Sequence, residues 1–166
     1  LDGAMLEITA LGTGTVVLMI VGVAALFLSL TRHRYSALLL LVATGGGLAL
    51  NMILKLFFDR PRPHVVVWGT NAVSSSFPSG HAMSATIVYS TVAYLAARLT
   101  KRRWARWVVM SLAAVVIILI SASRLYLGVH YPSDVLAGAV VGLAWAAFCM
   151  VTLELVQKFS QRSAPE

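Results

Sequence analysis

Two histidines, an aspartate and a set of cations fall in two polar islands of an otherwise apolar chain. The first island is Arg60-Pro61-Arg62-Pro63 … Phe77-Pro78-Ser79-Gly80-His81, with Lys55 just upstream at the end of an apolar run. The second is Ser123-Arg124-Leu125-Tyr126-Leu127-Gly128-Val129-His130-Tyr131-Pro132-Ser133-Asp134. Lys55, Arg62 and Arg124 lie beside apolar segments, where an ionisable side chain is costly and a functional role is the default. The planar fork of arginine matches the paired oxygens of a phosphate. Any one of these cations could equally be a helix end snorkelling to a membrane interface. Three of them on a charge-poor side weigh toward phosphate. Arg60 has Asp59 beside it and is expected to be solvated.

Pro78-Ser79-Gly80-His81 has the makings of a helix start. Proline suits the first turn, serine caps, and glycine lets backbone N–H groups approach an anion. Plain capping accounts for Pro-Ser-Gly alone, but a histidine at the mouth of the helix adds chemistry. His130 and Asp134 are four apart, beside a second helix-opening residue, Pro132. At helical spacing the carboxylate reaches back to the imidazole, fixes one tautomer and makes the other nitrogen a better nucleophile or base. The alternative is that Asp134 caps the helix and His130 packs in a loop. Two histidines in one site can divide phosphoryl transfer, one attacking phosphorus and the other protonating the leaving oxygen. His33 belongs to a basic loop and His64 is expected to be a solvated loop residue. No GxSxG is present for a serine hydrolase. The acids on the side of the islands are Asp2, Glu7, Asp59 and Asp134, scattered along the chain and unsuited to a metal site. Lysine and arginine would then neutralise the phosphate, and no metal or other cofactor is expected.

The elements that must position these groups are apolar helices. The chain is 59% hydrophobic and 11% charged over 166 residues, against about 25% charged in soluble domains. Five apolar segments are predicted as membrane spans: about Gly12–Leu30, Ala37–Phe58, His81–Leu99, Trp107–Ala122 and Val135–Val156. Most approach the ~20 residues needed to cross ~30 Å of hydrocarbon. Their length and lack of period-two alternation argue against strands. The fold class is therefore all-α, a polytopic transmembrane helix bundle, read as one integral-membrane domain over 1–166. Residues 1–11 suit a short interfacial helix, and 157–166 a cytoplasmic tail. Gly45-Gly46-Gly47 and the Gly138…Gly142 pair read as close helix packing, and Gly128 as a loop turn. With five spans, nine of the 13 basic residues fall on one side, which should be cytoplasmic, and four fall with the islands. The islands then face the periplasm or exterior. The net charge of +7 reads as topology and affinity for anionic headgroups, not as nucleic-acid binding. The lone Cys149 forms no internal disulfide and no metal motif.

At this point the residues resemble the type 2 phosphatidic acid phosphatase superfamily, which has a three-part signature. Its KxxxxxxRP is matched by Lys55 through Arg62-Pro63, its PSGH by Pro78-Ser79-Gly80-His81, and its SRxxxxxHxxxD by Ser123-Arg124 through His130 and Asp134. The resemblance covers about Gly45 to Val156. It implies that His130 is the nucleophile and becomes a phosphohistidine, and that Asp134 orients it. It implies that His81 protonates the leaving group and then activates water. Lys55, Arg62, Ser79, Gly80 and Arg124 would hold the phosphate oxygens, without a metal. Bacterial membrane members usually have six helices, so five spans imply a family core lacking its first helix. Leu1-Asp2-Gly3 is no signal peptide, and sequence is expected upstream. The implied activity is hydrolysis of the terminal phosphate of a lipid phosphate or diphosphate in a bacterial inner or cell membrane. Candidates are undecaprenyl diphosphate, phosphatidylglycerol phosphate, phosphatidic acid and diacylglycerol pyrophosphate. The rivals are a lipid phosphotransferase using the same histidine and a non-catalytic protein that binds or transports lipid headgroups. Intact His81, His130 and Asp134 weigh against the last, because binding alone needs only cations.

Overall fold

The computed structural model describes residues 2–63 and 74–162. His64, the loop position Thr70 and residues 163–166 of the expected tail lie outside the described residues. The described residues form six helices and no strand: α1 (Asp2–Ala10), α2 (Gly14–Leu30), α3 (Arg34–Phe58), α4 (Gly80–Leu99), α5 (Arg103–Tyr126) and α6 (Pro132–Arg162). Their breaks follow from local chemistry. Asp59 ends α3 at φ 26°, and Pro61 and Pro63 cannot continue it. Gly128, at φ 65°, makes the turn after α5 that only a residue without Cβ adopts cheaply. Pro132 opens α6 with a fixed φ and no N–H to satisfy. The five apolar segments coincide with helices α2 to α6, though not all five qualify as membrane spans, and α3, α5 and α6 run on into their polar flanks. In particular α6 continues to Arg162, through most of the segment expected as a tail.

Among the described residues, α3, α5 and the Pro132–Phe159 part of α6 are long and apolar enough to cross a membrane. α1 and α2, bent by 45°, add a fourth crossing if they act as one span. α4 differs from the expectation. Its Ser84, Thr86, Tyr89, Ser90, Thr91 and Tyr94 lower its hydropathy. It can carry them because it is the central helix, packed against α2, α3, α5 and α6. Thr86 and Ser90 also return their hydroxyls to helix carbonyls, at 2.8 Å on Ala82 and 2.5 Å on Thr86.

The core lies where α2, α3, α4 and α6 meet. Val17, Val21, Ala25 and Leu28 line one face of α2, against Leu40, Ala43, Met83, Ile87, Val88 and Leu153. The outward faces stay apolar, as lipid requires: Leu56 and Phe57 are more than 80% exposed. Glycines set the closest approaches. A Cβ on Gly138 would come 2.7 Å from the Ser79 carbonyl oxygen, and one on Gly142 2.8 Å from that of Met83. α6 therefore lies against the backbone of α4, as the spacing of these glycines suggests. Gly46 likewise makes room for the Trp145 ring, whose Nε1 donates to the Ala43 carbonyl at 2.9 Å.

Candidate active site

The two islands meet at one end of this bundle, and a backbone contact joins them. Ser79 N–H donates to the Asp134 carbonyl at 2.9 Å, linking the first turns of α4 and α6. Ser79 is fully buried, and its Oγ accepts from Ala82 N–H at 3.5 Å as the α4 N-cap. The hydroxyl proton is not committed by that contact and can still be donated. Gly80 opens α4 with Asn51 Oδ1 3.3 Å from where a Cβ would stand, so the helix start is pressed close to α3. The N-terminus of α4 carries the partial positive charge that favours an anion. His81, half-buried, stands on its first turn.

Asp134 caps the start of α6 and also lies beside His130. Its Oδ2 accepts from Tyr131 N–H at 2.9 Å, closing the first turn of α6 as the acidic half of a capping box. The same Oδ2 lies 3.6 Å from His130 Nδ1, long for a direct hydrogen bond. Ser76 bridges the pair. Its Oγ donates to Asp134 Oδ2 and sits 3.4 Å from His130 Nδ1. Ser76 and Asp134 are fully buried and His130 nearly so. The network engages Nδ1 and leaves Nε2, across the ring, as the nitrogen outside it. Burial, followed by the positive charges of Arg62 and Arg124, holds the His130 pKa well below the ordinary histidine value; Asp134 opposes this without reversing it. The lowered pKa favours the neutral imidazole, the form with a lone pair available.

Arg60 departs from its expected place in solvent. Its Nη1 donates to Asp134 Oδ1 and to Ser133 Oγ, both at 2.8 Å, and its guanidinium lies 4.2 Å over the Tyr131 ring. The bend at Asp59 and the prolines after it return the chain toward the start of α6, where a carboxylate is available. Lys55, Arg62 and Arg124 are each tied to a neighbouring segment. Lys55 Nζ donates to the Ser75 carbonyl at 2.7 Å. Arg62 donates from Nε to the Ser74 carbonyl at 3.0 Å and from Nη1 to the Val129 carbonyl at 3.3 Å. Arg62 thus spans from the first island to the loop that carries His130. Arg124, on the last turn of α5, donates from Nη1 to Thr9 Oγ1 at 2.9 Å. Two residues of this cluster, Ser76 and Thr9, are not singled out in the sequence, and Arg60 is read there as solvated. Ser76 directly precedes Phe77-Pro78, but in a Ser74-Ser75-Ser76 run nothing distinguishes it from loop. Among the described residues, no group of three or more His, Cys, Asp and Glu side chains could hold a metal ion.

The described residues thus form a helical bundle with apolar outer faces, with a buried His–Asp pair and several cations at one end. The sequence pattern of the PAP2 superfamily matches residues 35–158. Phosphatidylglycerophosphatase B of Bacillus subtilis is 33% identical over 166 residues, covering 98% of this chain and 80% of that protein. An undecaprenyl-diphosphatase of Sulfolobus acidocaldarius is 34% identical over 137 residues, 80% of this chain and 62% of that one. The crystal structure of a transmembrane PAP2-type phosphatidylglycerolphosphate phosphatase from Bacillus subtilis superposes with a TM-score of 0.82 at 32% identity, covering 98% of this chain and 78% of that chain. The chain belongs to the PAP2 superfamily.

Proposed function

We propose that the protein is a lipid phosphatase that removes the terminal phosphate of a membrane lipid phosphate or diphosphate, through a phosphohistidine on His130. The observation that carries this reading is the buried Asp134–Ser76–His130 network. It engages Nδ1 and leaves Nε2 outside the network, while burial and the nearby charges of Arg62, Arg124 and Lys55 favour the neutral ring. Nε2 attacks phosphorus as the phosphorus–oxygen bond to the lipid breaks. His81 gives its proton to the leaving oxygen, then takes one from the water that cleaves the phosphorus–nitrogen bond, releasing phosphate and restoring His130. Lys55, Arg62, Arg124, the Ser79 hydroxyl and the backbone at Gly80 would hold the charge that grows on the phosphoryl oxygens.

The membrane arrangement supports a substrate that arrives from the bilayer. We read α2 to α6 as five crossings of a single domain over 1–166. α4 is shielded by its neighbours, and α1 lies at the interface on the site side. The nine-to-four split of basic residues supports a site at the periplasmic or outer face of a bacterial cell membrane. The names of the similar proteins make phosphatidylglycerol phosphate and undecaprenyl diphosphate the first substrates to try. Phosphate release from a panel of lipid phosphates in detergent, with EDTA present, tests the reading. Release from at least one of them is expected. Activity abolished by EDTA and restored by Mg²⁺ would contradict the mechanism, and transfer of phosphate to an organic acceptor would make the protein a phosphotransferase.

A further inference from the structure

The mechanism above leaves α1 without a purpose, yet this short helix and the corner after it reach into the site. Asp2 Oδ1 accepts from Tyr126 Oη–H at 2.8 Å, and the Leu11 carbonyl accepts from Tyr89 Oη–H at 3.0 Å. Gly12 lies so close that a Cβ there would stand 3.3 Å from His81 Cδ2 and 2.7 Å from Ile120 Cγ2. The residue that α1 buries is the hydroxyl-bearing Thr9. A polar side chain is buried at a cost unless it is hydrogen-bonded. Thr9 meets that condition through Arg124 Nη1, at 2.9 Å and 115 positions away in the chain.

The bond occupies one corner of the guanidinium. Arg124 Nε is buried and has no hydrogen-bond partner among the described residues. Nε and Nη2 form the edge with which an arginine grips two oxygens of a phosphate. Pinning Nη1 removes the side chain's rotational freedom before the phosphate arrives, so less ordering is required on binding. We infer that Thr9 is a positioning residue, whose hydroxyl sets the Arg124 guanidinium so that its Nε edge faces the phosphoryl group. α1 and the corner after it then serve as one wall of the phosphate site, holding Arg124 through Thr9 and resting on His81 through Gly12.

The inference rests on the reading of Arg124 as a phosphate ligand, but its test needs no turnover. The measurement is stabilisation of the purified protein against thermal unfolding, in detergent, as inorganic phosphate or orthovanadate is titrated. Thr9→Val keeps the shape and removes the hydroxyl. It should raise the half-effect concentration about tenfold or more, the scale of one hydrogen bond to a charged group. Thr9→Ser should return it to near the wild-type value, and Thr9→Ala gives a second hydroxyl-free variant if Thr9→Val folds poorly. Tyr126→Phe cuts the other α1–α5 tie without touching Arg124 and should leave the titration unchanged. Equal titrations for wild type and Thr9→Val would overturn the assignment. So would a loss in Tyr126→Phe as large as in Thr9→Val, which would reduce Thr9 to docking α1, or a wild-type protein indifferent to phosphate. Wild-type protein that shows the predicted pattern but releases no phosphate from lipids would sink the hydrolysis reading and leave Thr9 in place.

Discussion

The Ser79 backbone N–H donates to the Asp134 carbonyl at 2.9 Å, and this bond fastens the helix start that bears His81 to the one that follows His130. Only close packing of α4 on α6 allows it. Gly138→Ala places a methyl 2.7 Å from the Ser79 carbonyl oxygen, so backbone must move. Overpacking of this kind costs about 1–3 kcal/mol. Thermal unfolding in detergent should show a lower midpoint, with activity reduced beyond the loss of folded protein. Gly45→Ala, where a Cβ meets nothing within 4 Å, should do neither.

Ser76 and Arg60 hold the two oxygens of Asp134. Ser76→Ala removes the group that bridges the carboxylate to His130 and should lower kcat about tenfold or more, the worth of one buried hydrogen bond to a charged group, with KM little changed. Arg60→Met should give a smaller loss, because its guanidinium is partly exposed and screened. Steady-state kinetics on one lipid phosphate separates the two. A Ser76→Ala enzyme with wild-type kcat would mean that the direct 3.6 Å approach of Asp134 to His130 is sufficient.

The pH profile follows from the depressed pKa of His130. The attacking imidazole must be neutral, so activity is lost as pH falls through its pKa. Burial and the charges of Arg62 and Arg124 lower that pKa, which places the acid limb of kcat/KM below the ordinary histidine range near 6.5. Removing a neighbouring cation removes part of the depression. Arg62→Leu should move the acid limb to higher pH, besides weakening phosphate binding. A limb that stays put, or moves to lower pH, would show that Arg62 does not act on His130.

Topology is tested with two cysteines. Gly3 is exposed on α1 at the site end, with nothing within 4 Å of a new Cβ, and Lys101 is exposed in the turn between α4 and α5. The native Cys149 is buried. Gly3→Cys should react with an impermeant thiol reagent in intact cells, after any outer membrane is permeabilised, and Lys101→Cys only after lysis. The reverse pattern would place the site in the cytoplasm.

Much of this molecule is legible in the sequence, for reasons that also mark the limits. Apolar runs fix the helices because lipid leaves a backbone few alternatives. The spacing within each signature reports local geometry, and so His130 and Asp134 come within 3.6 Å although α6 opens only at Pro132. Gly138 and Gly142 give a packing face for the same reason. What escapes is contact between distant parts of the chain. Ser76 meets Asp134 from 58 residues away, Arg60 from 74 and Thr9 meets Arg124 from 115. Each looks locally like a loop serine, a solvated arginine or an interfacial threonine. α4 is the converse case: its hydroxyls make it a poor span by composition, and only its neighbours explain how it lies at the centre.

The two histidines should separate by substrate. General acid catalysis supplies about 10²–10⁴-fold, and a leaving group that departs without a proton needs little of it. His81→Ala should therefore retain relatively more activity on p-nitrophenyl phosphate, if that is accepted as a substrate, than on an alkyl lipid phosphate. His130→Ala should lose essentially all activity on both. Asp134→Asn should fall between, since the imidazole remains without the carboxylate that orients it.

The most direct test of the central claim is to find where the phosphoryl group rests. His81→Ala protein, given a lipid phosphate labelled in its terminal phosphate, should accumulate the intermediate because the base that activates water is gone. Rapid acid quench, immediate neutralisation and peptide mapping should place the label on His130. Label on His81 in His130→Ala protein, with turnover intact, would contradict the assignment of the pair.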